Sequence, residues 1–193
     1  MTDIHMQKAV RRINEAKECG ETEVDLSGFE IQEIPEELLR LATTLKSLNL
    51  SDTDISDIKA LSNLIKLEKL ILYETNITAI EPLSGLTKLK ILDLQGAEIT
   101  NIRALANLTN LEWLGLSDAN VSDVSPLAHL TNLEWLFLSE TKVTDISPLA
   151  NLTNLEALDL LGCPLVKSPA NIQALKKLSE NDCEIYGAEG LMK

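Results

Sequence analysis

The side chains that most often perform catalysis or bind metal ions are scarce in this sequence and far apart. The chain contains two histidines, His5 and His129, and three cysteines, Cys19, Cys163 and Cys183. No cysteine has a histidine beside it, and the cysteine spacing matches neither a zinc motif nor a redox motif. Carboxylates are abundant, but we expect them on an open surface that admits water, which disfavours catalysis. The sequence therefore predicts no enzyme, no cofactor and no metal site.

Charge and composition exclude further classes of ligand. The 193 residues include 30 acidic and 17 basic side chains, which give a formal net charge of −13. Nucleic acids and anionic membranes both require a basic surface, so we expect the chain to bind neither. No apolar run approaches the ~18 residues that a membrane span requires, and the N-terminal segment has charges where a signal peptide would be apolar. We expect a cytoplasmic protein.

A repeat of 22 residues organises most of the chain. Counting the first leucine of each unit as position 1, leucine also fills positions 4 and 6, and an aliphatic residue fills position 11. Six such units begin at Leu45, Leu67, Leu89, Leu111, Leu133 and Leu155. A longer first unit contains Val24, Leu26, Ile31 and Ile34 on the same template.

The repeat predicts short strands stacked in parallel. Leucines at positions 4 and 6 alternate with other residues, so they indicate a strand with one buried side. A single strand cannot bury that side alone, and we expect seven of them to form a parallel sheet along a solenoid. The limbs that return to the sheet contain Pro82, Pro126 and Pro148. These prolines favour 3₁₀ or single-turn helices.

Helices are predicted to cover both ends of the stack. Residues 3–18 indicate an amphipathic helix, which Thr2 or Asp3 can cap. Its apolar face consists of Ile4, Ala9, Val10, Ile13 and Ala16. The segment SPANIQALKKL indicates a second helix with Pro169 in its first turn. A half-repeat follows, in which Leu178, Cys183 and Ile185 are predicted to point inward.

The predicted organisation is one domain over residues 1–193. It consists of a capping helix over 1–20, about seven repeats over 21–177 and a C-terminal cap over 178–193. Because both ends carry capping segments, the sequence is compatible with a whole protein and need not be a fragment.

The repeat resembles those of known families. The unit LTNLEWLFLSETKVTDISPLAN is similar to the 22-residue leucine-rich repeats of bacterial internalins and of eukaryotic phosphatase-regulatory proteins. The resemblance covers residues 45–166. It implies an α/β leucine-rich-repeat solenoid, a curved right-handed horseshoe with the parallel sheet on its concave face and short helices on its convex face. It also implies that another protein binds on the concave face.

Two features differ from the internalins. Internalins carry a signal peptide and a wall anchor, and neither is recognisable in this sequence. Their inward asparagine at position 9 is replaced throughout, so an unbroken asparagine ladder cannot form. The residues at this position are Thr53, Thr75, Ala97, Ala119, Thr141 and Cys163.

The opening segment carries a second resemblance. Residues 9–41, AVRRINEAKECGETEVDLSGFEIQEIPEELLRL, are similar to the start of bacterial cytoplasmic repeat proteins. These include Roco-type proteins, in which the repeats precede a GTPase. The phosphate-binding motif G-x-x-x-x-G-K-[ST] does not occur in the sequence. The alternative prediction is therefore a regulatory or sensory module of a larger Roco-like GTPase or effector protein.

Aromatic residues concentrate on the predicted concave face. Positions 3, 5 and 7 are predicted to point outward from the sheet, and they hold four of the six aromatic residues. These are Tyr73, Trp113, Trp135 and Phe137, with Ile71 and Ile91 beside them. An exposed patch of this kind is typical of a protein-binding site. Cross-strand packing that only stiffens the sheet is the alternative interpretation.

Acidic residues border these aromatic residues. Glu112 and Glu134 occupy position 2 of their units, and Asp118 and Glu140 occupy position 8. We expect them to attract a basic protein partner, although acidic surfaces also serve solubility. The predicted function is a monomeric protein-interaction module. Its charge suits an inhibitor or immunity-type protein for a basic partner.

Overall fold

The structure, a computed structural model, describes residues 4–191. Eight parallel strands form one sheet in chain order, and the part of the chain described contains two α-helices, α1 (Ile4–Cys19) and α2 (Pro169–Glu180). The strands are β1 (Glu23–Asp25), β2 (Ser47–Asn49), β3 (Lys69–Ile71), β4 (Ile91–Asp93), β5 (Trp113–Gly115), β6 (Trp135–Phe137), β7 (Ala157–Asp159) and β8 (Glu184–Tyr186). The predicted parallel solenoid is confirmed.

The strand register follows the sequence repeat. Equivalent positions of successive units are Cα partners, as Leu92 with Leu114 and Leu114 with Leu136. The leucines at positions 1, 4 and 6 lie in one continuous apolar core that runs the length of the stack. One strand more than predicted is present, because the segment before Gly187 pairs with β7. Ile185, the centre of β8, is only half-buried because no further repeat covers it.

Short 3₁₀ helices return the chain to the sheet, as predicted. They span Glu36–Leu41, Lys59–Asn63, Glu81–Gly85, Arg103–Asn107, Ser125–Leu127 and Ser147–Asn151. An aspartate two residues earlier stabilises the first turn of several of these helices. Asp123 accepts a hydrogen bond of 2.8 Å from the backbone N–H of Ser125, and Asp145 accepts one of 2.8 Å from the backbone N–H of Ser147. Hydrogen bonds from Ser125 lower the pKa of Asp123.

Local hydrogen bonds replace the asparagine ladder at position 9. The hydroxyls of Thr53, Thr75 and Thr141 each donate to the carbonyl oxygen three residues earlier, at 2.7, 2.8 and 2.7 Å. The Cys163 thiol donates to the Leu138 carbonyl at 3.0 Å. These inward polar groups are thus satisfied within or between adjacent units, as buried polar groups must be.

The N-terminal helix α1 packs on the first repeat with its middle and C-terminal turns. Ala9, Ile13 and Ala16 are fully buried against the core. Ile4 was predicted on the same face but is 62% exposed, since it lies in the first turn, outside the buried stretch. Val10 is half-buried. The predicted capping residues Thr2 and Asp3 lie outside the described residues.

The C-terminal helix α2 is tied to the last full repeat by a buried asparagine. Ser168 caps the helix by accepting a hydrogen bond of 3.1 Å from the Asn171 backbone. The Asn171 side chain is 1% exposed; its Oδ1 accepts from Ile146 N–H, and its Nδ2 donates to the carbonyls of Thr144 and Val166, each at 2.8 Å. Both donors of its side-chain amide and one lone pair of Oδ1 therefore hold α2 against the stack.

Deleting residues 1–19 is expected to broaden the unfolding transition or cause aggregation. The deletion removes the three α1 residues that are fully buried and exposes the apolar end of the first repeat. Thermal unfolding followed by circular dichroism, with light scattering, measures the effect. An unchanged melting curve without aggregation would contradict the capping role of α1.

Substitution of two glycines in left-handed conformation distinguishes the energetic cost of backbone strain from the cost of steric overlap. Gly28 (φ 68°) has open space where a Cβ would lie, whereas a Cβ on Gly187 (φ 81°) would lie 2.5 Å from the backbone of Leu160 and Leu161. Gly28→Ala is expected to cost about 1 kcal/mol of unfolding free energy. Gly187→Ala should cost at least ~1 kcal/mol more, because backbone must move. Equal losses in urea unfolding would contradict the close packing at Gly187.

Candidate protein-binding surface

The outward-facing residues of β3–β6 form a partly exposed apolar surface. We call Ile71, Tyr73, Ile91, Trp113, Trp135 and Phe137 the aromatic patch. Tyr73 is 40% exposed, and the other members are half-buried. Position 7 is not exposed in every unit, since Ser51 and Ser117 are buried at 8% and 6% exposure. The concave face therefore consists mainly of positions 3 and 5, joined by Tyr73.

Trp113 lies along its own strand because the second residue after it is a glycine. The Trp113 Cη2 atom lies 2.7 Å from the place that a Cβ of Gly115 would occupy. The indole therefore covers Gly115 and reaches Phe137, with ring centroids 5.3 Å apart and ring planes inclined by 41°. Such tilted aromatic pairs are favourable.

This ring contact differs from the one that sequence position suggests. Trp113 and Trp135 are Cα partners, as their repeat positions predict, but the aromatic contact runs diagonally from Trp113 to Phe137. The diagonal arises because Gly115, the partner of Phe137 across the sheet, leaves room for the indole. The glycine two residues after Trp113 is the feature of the sequence that could have indicated this diagonal contact. The contact stiffens the sheet, yet both rings remain partly accessible.

Polar groups lie directly beside the patch. Asp93 and Gln95 approach the same space above Gly115, each 2.8 Å from the position of its missing Cβ. Burial raises the pKa of Asp93, while hydrogen bonds from Gln95 act in the opposite direction. The negative charge of Glu74 raises the pKa of Tyr73, so its hydroxyl stays protonated at neutral pH and can donate a hydrogen bond.

Position 2 of the repeats forms a charged rim at the N-terminal ends of the strands. In the earlier repeats the charges alternate and form salt bridges, Lys46 with Glu68 at 3.0 Å and Lys90 with Glu112 at 2.8 Å. The bond to Glu112 is the largest cause of the raised pKa of Lys90. Glu112 was predicted as part of an attracting acidic border, but Lys90 neutralises it. The sequence could have indicated this salt bridge, because Lys90 and Glu112 occupy the same position in adjacent repeats.

The same rim changes character in the later repeats. Position 2 is occupied there by Glu134 and Glu156, and neither forms a salt bridge within residues 4–191. Glu134 still acts on Lys90 at longer range and contributes to its raised pKa. The rim is therefore neutral beside β2–β5 and acidic beside β6 and β7.

A second acidic rim follows the C-terminal ends of the strands. Asp118 and Glu140 are exposed and lie in the left-handed region, with φ of 60° and 56°. The Glu140 carboxyl extends over the next repeat, 2.5 Å from where a Cβ of Gly162 would be. The predicted acids thus flank the aromatic patch on both sides, with Glu140 directed toward the turn that follows β7.

An open depression of about 510 Å³ adjoins the patch at its acidic end. Trp135 forms one wall, and Glu156 and Ala157 follow on the next repeat. Asp182, in the turn between α2 and β8, and Glu184, the first residue of β8, complete the lining. Sequence reasoning missed this C-terminal depression, because the turn was interpreted as part of the cap. It joins residues 135 and 184, which only the stacking of β6, β7 and β8 brings together.

In the described structure, no group of three or more His, Cys, Asp or Glu side chains could hold a metal ion. Desolvation raises the pKa of Cys183 to about 11, so its thiol stays protonated and weakly nucleophilic. Between residues 4 and 191, the helices are too short or too polar to cross a membrane.

Comparison with known proteins identifies the repeat. The family model "Leucine Rich repeats (2 copies)" matches residues 43–84, 65–107 and 131–177. The chain belongs to the leucine-rich-repeat family. No curated protein matches this leucine-rich-repeat chain significantly.

Solved structures show which leucine-rich-repeat proteins are similar. The internalin InlF of Listeria monocytogenes is 33% identical over 95% of this chain and 55% of its own, with a TM-score of 0.84. Internalin C2 of the same species is 28% identical over 99% of this chain and 89% of its own, with a TM-score of 0.79. A leucine-rich-repeat protein of Leptospira interrogans is 31% identical over 81% of this chain and 40% of its own, with a TM-score of 0.72.

These findings support the internalin-like repeats and define the general role. The chain spans about 55% of the InlF chain that it matches. Its repeats and its internalin neighbours support a protein-interaction module, and folds of this kind are typically scaffolds without enzymatic activity. The resemblance of the opening segment to Roco-type proteins remains a prediction.

Proposed function

We propose that this leucine-rich-repeat protein binds a basic protein partner on its concave face. The observation that carries the proposal is the half-exposed aromatic cluster of Trp113, Trp135 and Phe137, on the one sheet face that no helix covers in the described structure. Tryptophan and large apolar side chains in such a position are typical binding hot spots. The acidic rims beside them favour a partner of opposite charge.

The formal charge of −13 supports a narrower role. We propose a monomeric cytoplasmic inhibitor or immunity-type protein, whose acidic face occupies the basic working surface of its partner. Such a pair associates rapidly, because complementary potentials steer the encounter. The alternative, a regulatory module of a larger protein, predicts instead that the partner belongs to the same polypeptide.

Capture of the partner tests the proposal. The full chain is immobilised and exposed to lysate of the native source, beside a triple variant in which Trp113, Trp135 and Phe137 are alanine. The proposal requires a protein of basic isoelectric point that the full chain retains and the folded triple variant loses. Equal retention by both would place the binding surface elsewhere and contradict the proposal.

Reversing one rim charge is expected to slow association with the captured partner. Glu134→Lys places a positive charge on the acidic part of the rim, so the association rate should fall and depend less on ionic strength. Glu81→Lys is the matched control, because it makes the same change in net charge on an exposed residue of a 3₁₀ helix. Surface plasmon resonance at two salt concentrations measures both. Equal rates for the two variants would show that the rim serves solubility.

A further inference from the structure

The C-terminal depression suggests which side chain of the partner it receives. Its Trp135 wall belongs to the aromatic patch, so a segment lying on the patch also reaches the depression. Glu156, Asp182 and Glu184 contribute carboxylates to the lining, which contains no lysine or arginine. Carboxylates around an aromatic wall favour a cation that can contact both.

An equivalent depression near the other end of the sheet shows how such carboxylates are satisfied. It has a volume of about 270 Å³ and is lined by Glu68 and Glu112 together with Lys46 and Lys90. Each of these two glutamates forms a salt bridge with a lysine of a neighbouring repeat, at 3.0 and 2.8 Å. The chain itself therefore supplies the cations at this end.

The acidic end lacks this internal compensation. Position 2 alternates between lysine and glutamate from Lys46 to Glu112, which would place a lysine at residue 134. Glu134 and Glu156 instead occupy this position in the units of β6 and β7. Within the described part of the chain, Glu156, Asp182 and Glu184 form no salt bridge. Glu184 accepts a hydrogen bond of 2.7 Å from the Tyr186 hydroxyl through Oε2. That bond fixes the carboxylate on the strand and leaves Oε1 for a further donor.

We infer that the C-terminal depression receives an arginine side chain of the protein partner, between the Trp135 indole and the carboxylates of Glu156 and Glu184. This inference rests on the proposed function and assigns the chemistry of one contact within it. A guanidinium is planar, stacks on an indole and donates to two carboxylates at once. A lysine ammonium has no planar face for the indole.

Short peptides test the inference without the natural partner. The full chain, labelled with ¹⁵N, is titrated with acetyl-Gly-Arg-Gly-amide, and the indole N–H resonances of its two tryptophans are followed by NMR. The control peptide contains citrulline, which has the shape of arginine without its charge. We expect the Trp135 resonance to move with the arginine peptide, and at least about tenfold weaker binding of the citrulline peptide. Equal binding of the two peptides, or of a lysine peptide, would overturn the inference.

Matched variants locate the contact. Glu156→Gln combined with Glu184→Gln removes two carboxylates of the depression and should abolish the shift of Trp135. Glu68→Gln combined with Glu112→Gln removes the same number of charges from the other depression and should leave the shift unchanged. Both variants change exposed or half-buried side chains, and melting curves verify their folding. Equal effects of the two pairs would mean that the peptide responds to net charge alone, which also overturns the inference.

The outcome for the arginine contact is separable from that for the proposed function. If the peptide leaves Trp135 unmoved while partner capture still requires the aromatic patch, the inference fails and the proposed function stands. If the peptide binds as expected but the triple alanine variant retains the partner as well as the full chain does, the proposed function fails.

Discussion

Alanine at Trp113, Trp135 or Phe137 is expected to weaken partner binding by about 2 kcal/mol or more for at least one of the three, which is roughly a thirtyfold loss of affinity. Each side chain is half-buried in the free protein, so its remaining surface is available to a partner. Removing a large hot-spot side chain leaves a hole in the interface that water or the partner cannot fill well.

The three substitutions differ in what else they disturb. Trp113→Ala also removes the ring that contacts Phe137, and Phe137→Ala removes the other member of that pair. Trp135 has no aromatic ring contact among the described residues, so Trp135→Ala is the cleanest test of binding. Ile65→Ala is a suitable control, since Ile65 is 57% exposed and lies outside the strands.

Affinity and stability must be measured for each variant. Isothermal titration with the captured partner gives the affinity, and urea unfolding gives the stability. We expect the aromatic variants to lose affinity while they stay folded, and Ile65→Ala to lose neither. If the aromatic variants are unfolded, these side chains are part of the hydrophobic core. Folded variants with normal affinity would move the binding surface to the convex limbs or to α2.

Leu114→Ala is expected to lower the free energy of unfolding by about 2–5 kcal/mol. Leu114 is fully buried at the centre of β5, where Leu92 and Leu136 are its partners on the two adjacent strands. The substitution therefore opens a cavity inside the stack, and rigid neighbours on both sides limit how far the cavity can close.

Urea unfolding of Leu114→Ala beside Leu39→Ala measures the effect. Leu39 is 40% exposed in the first 3₁₀ helix, so its truncation removes a similar volume without an enclosed cavity. We expect the loss at Leu39 to be much the smaller of the two. A loss below about 0.5 kcal/mol at Leu114 would be inconsistent with a buried leucine and with the strand register.

The periodic sequence was sufficient to predict the sheet and the direction of most side chains. A leucine at position 4 has no other place to be buried than between its equivalents in the units before and after, so the register follows from the repeat length. That register put Trp113, Trp135 and Phe137 on the concave face and the leucines in the core. Proline and the short return limbs predicted the 3₁₀ helices for the same local reason.

Tertiary structure decided what the repeat does not encode. The Trp113–Phe137 contact depends on a rotamer that Gly115 permits, and the neutralised Glu112 depends on the reach of Lys90 from the strand before it. The Asn171 bonds and the C-terminal depression join residues that no shared period relates, because they lie where the repeat gives way to α2 and β8. Periodicity fixes backbone position and the face of each residue. Contacts between side chains depend also on rotamers and on irregular neighbours, which only the packed chain determines.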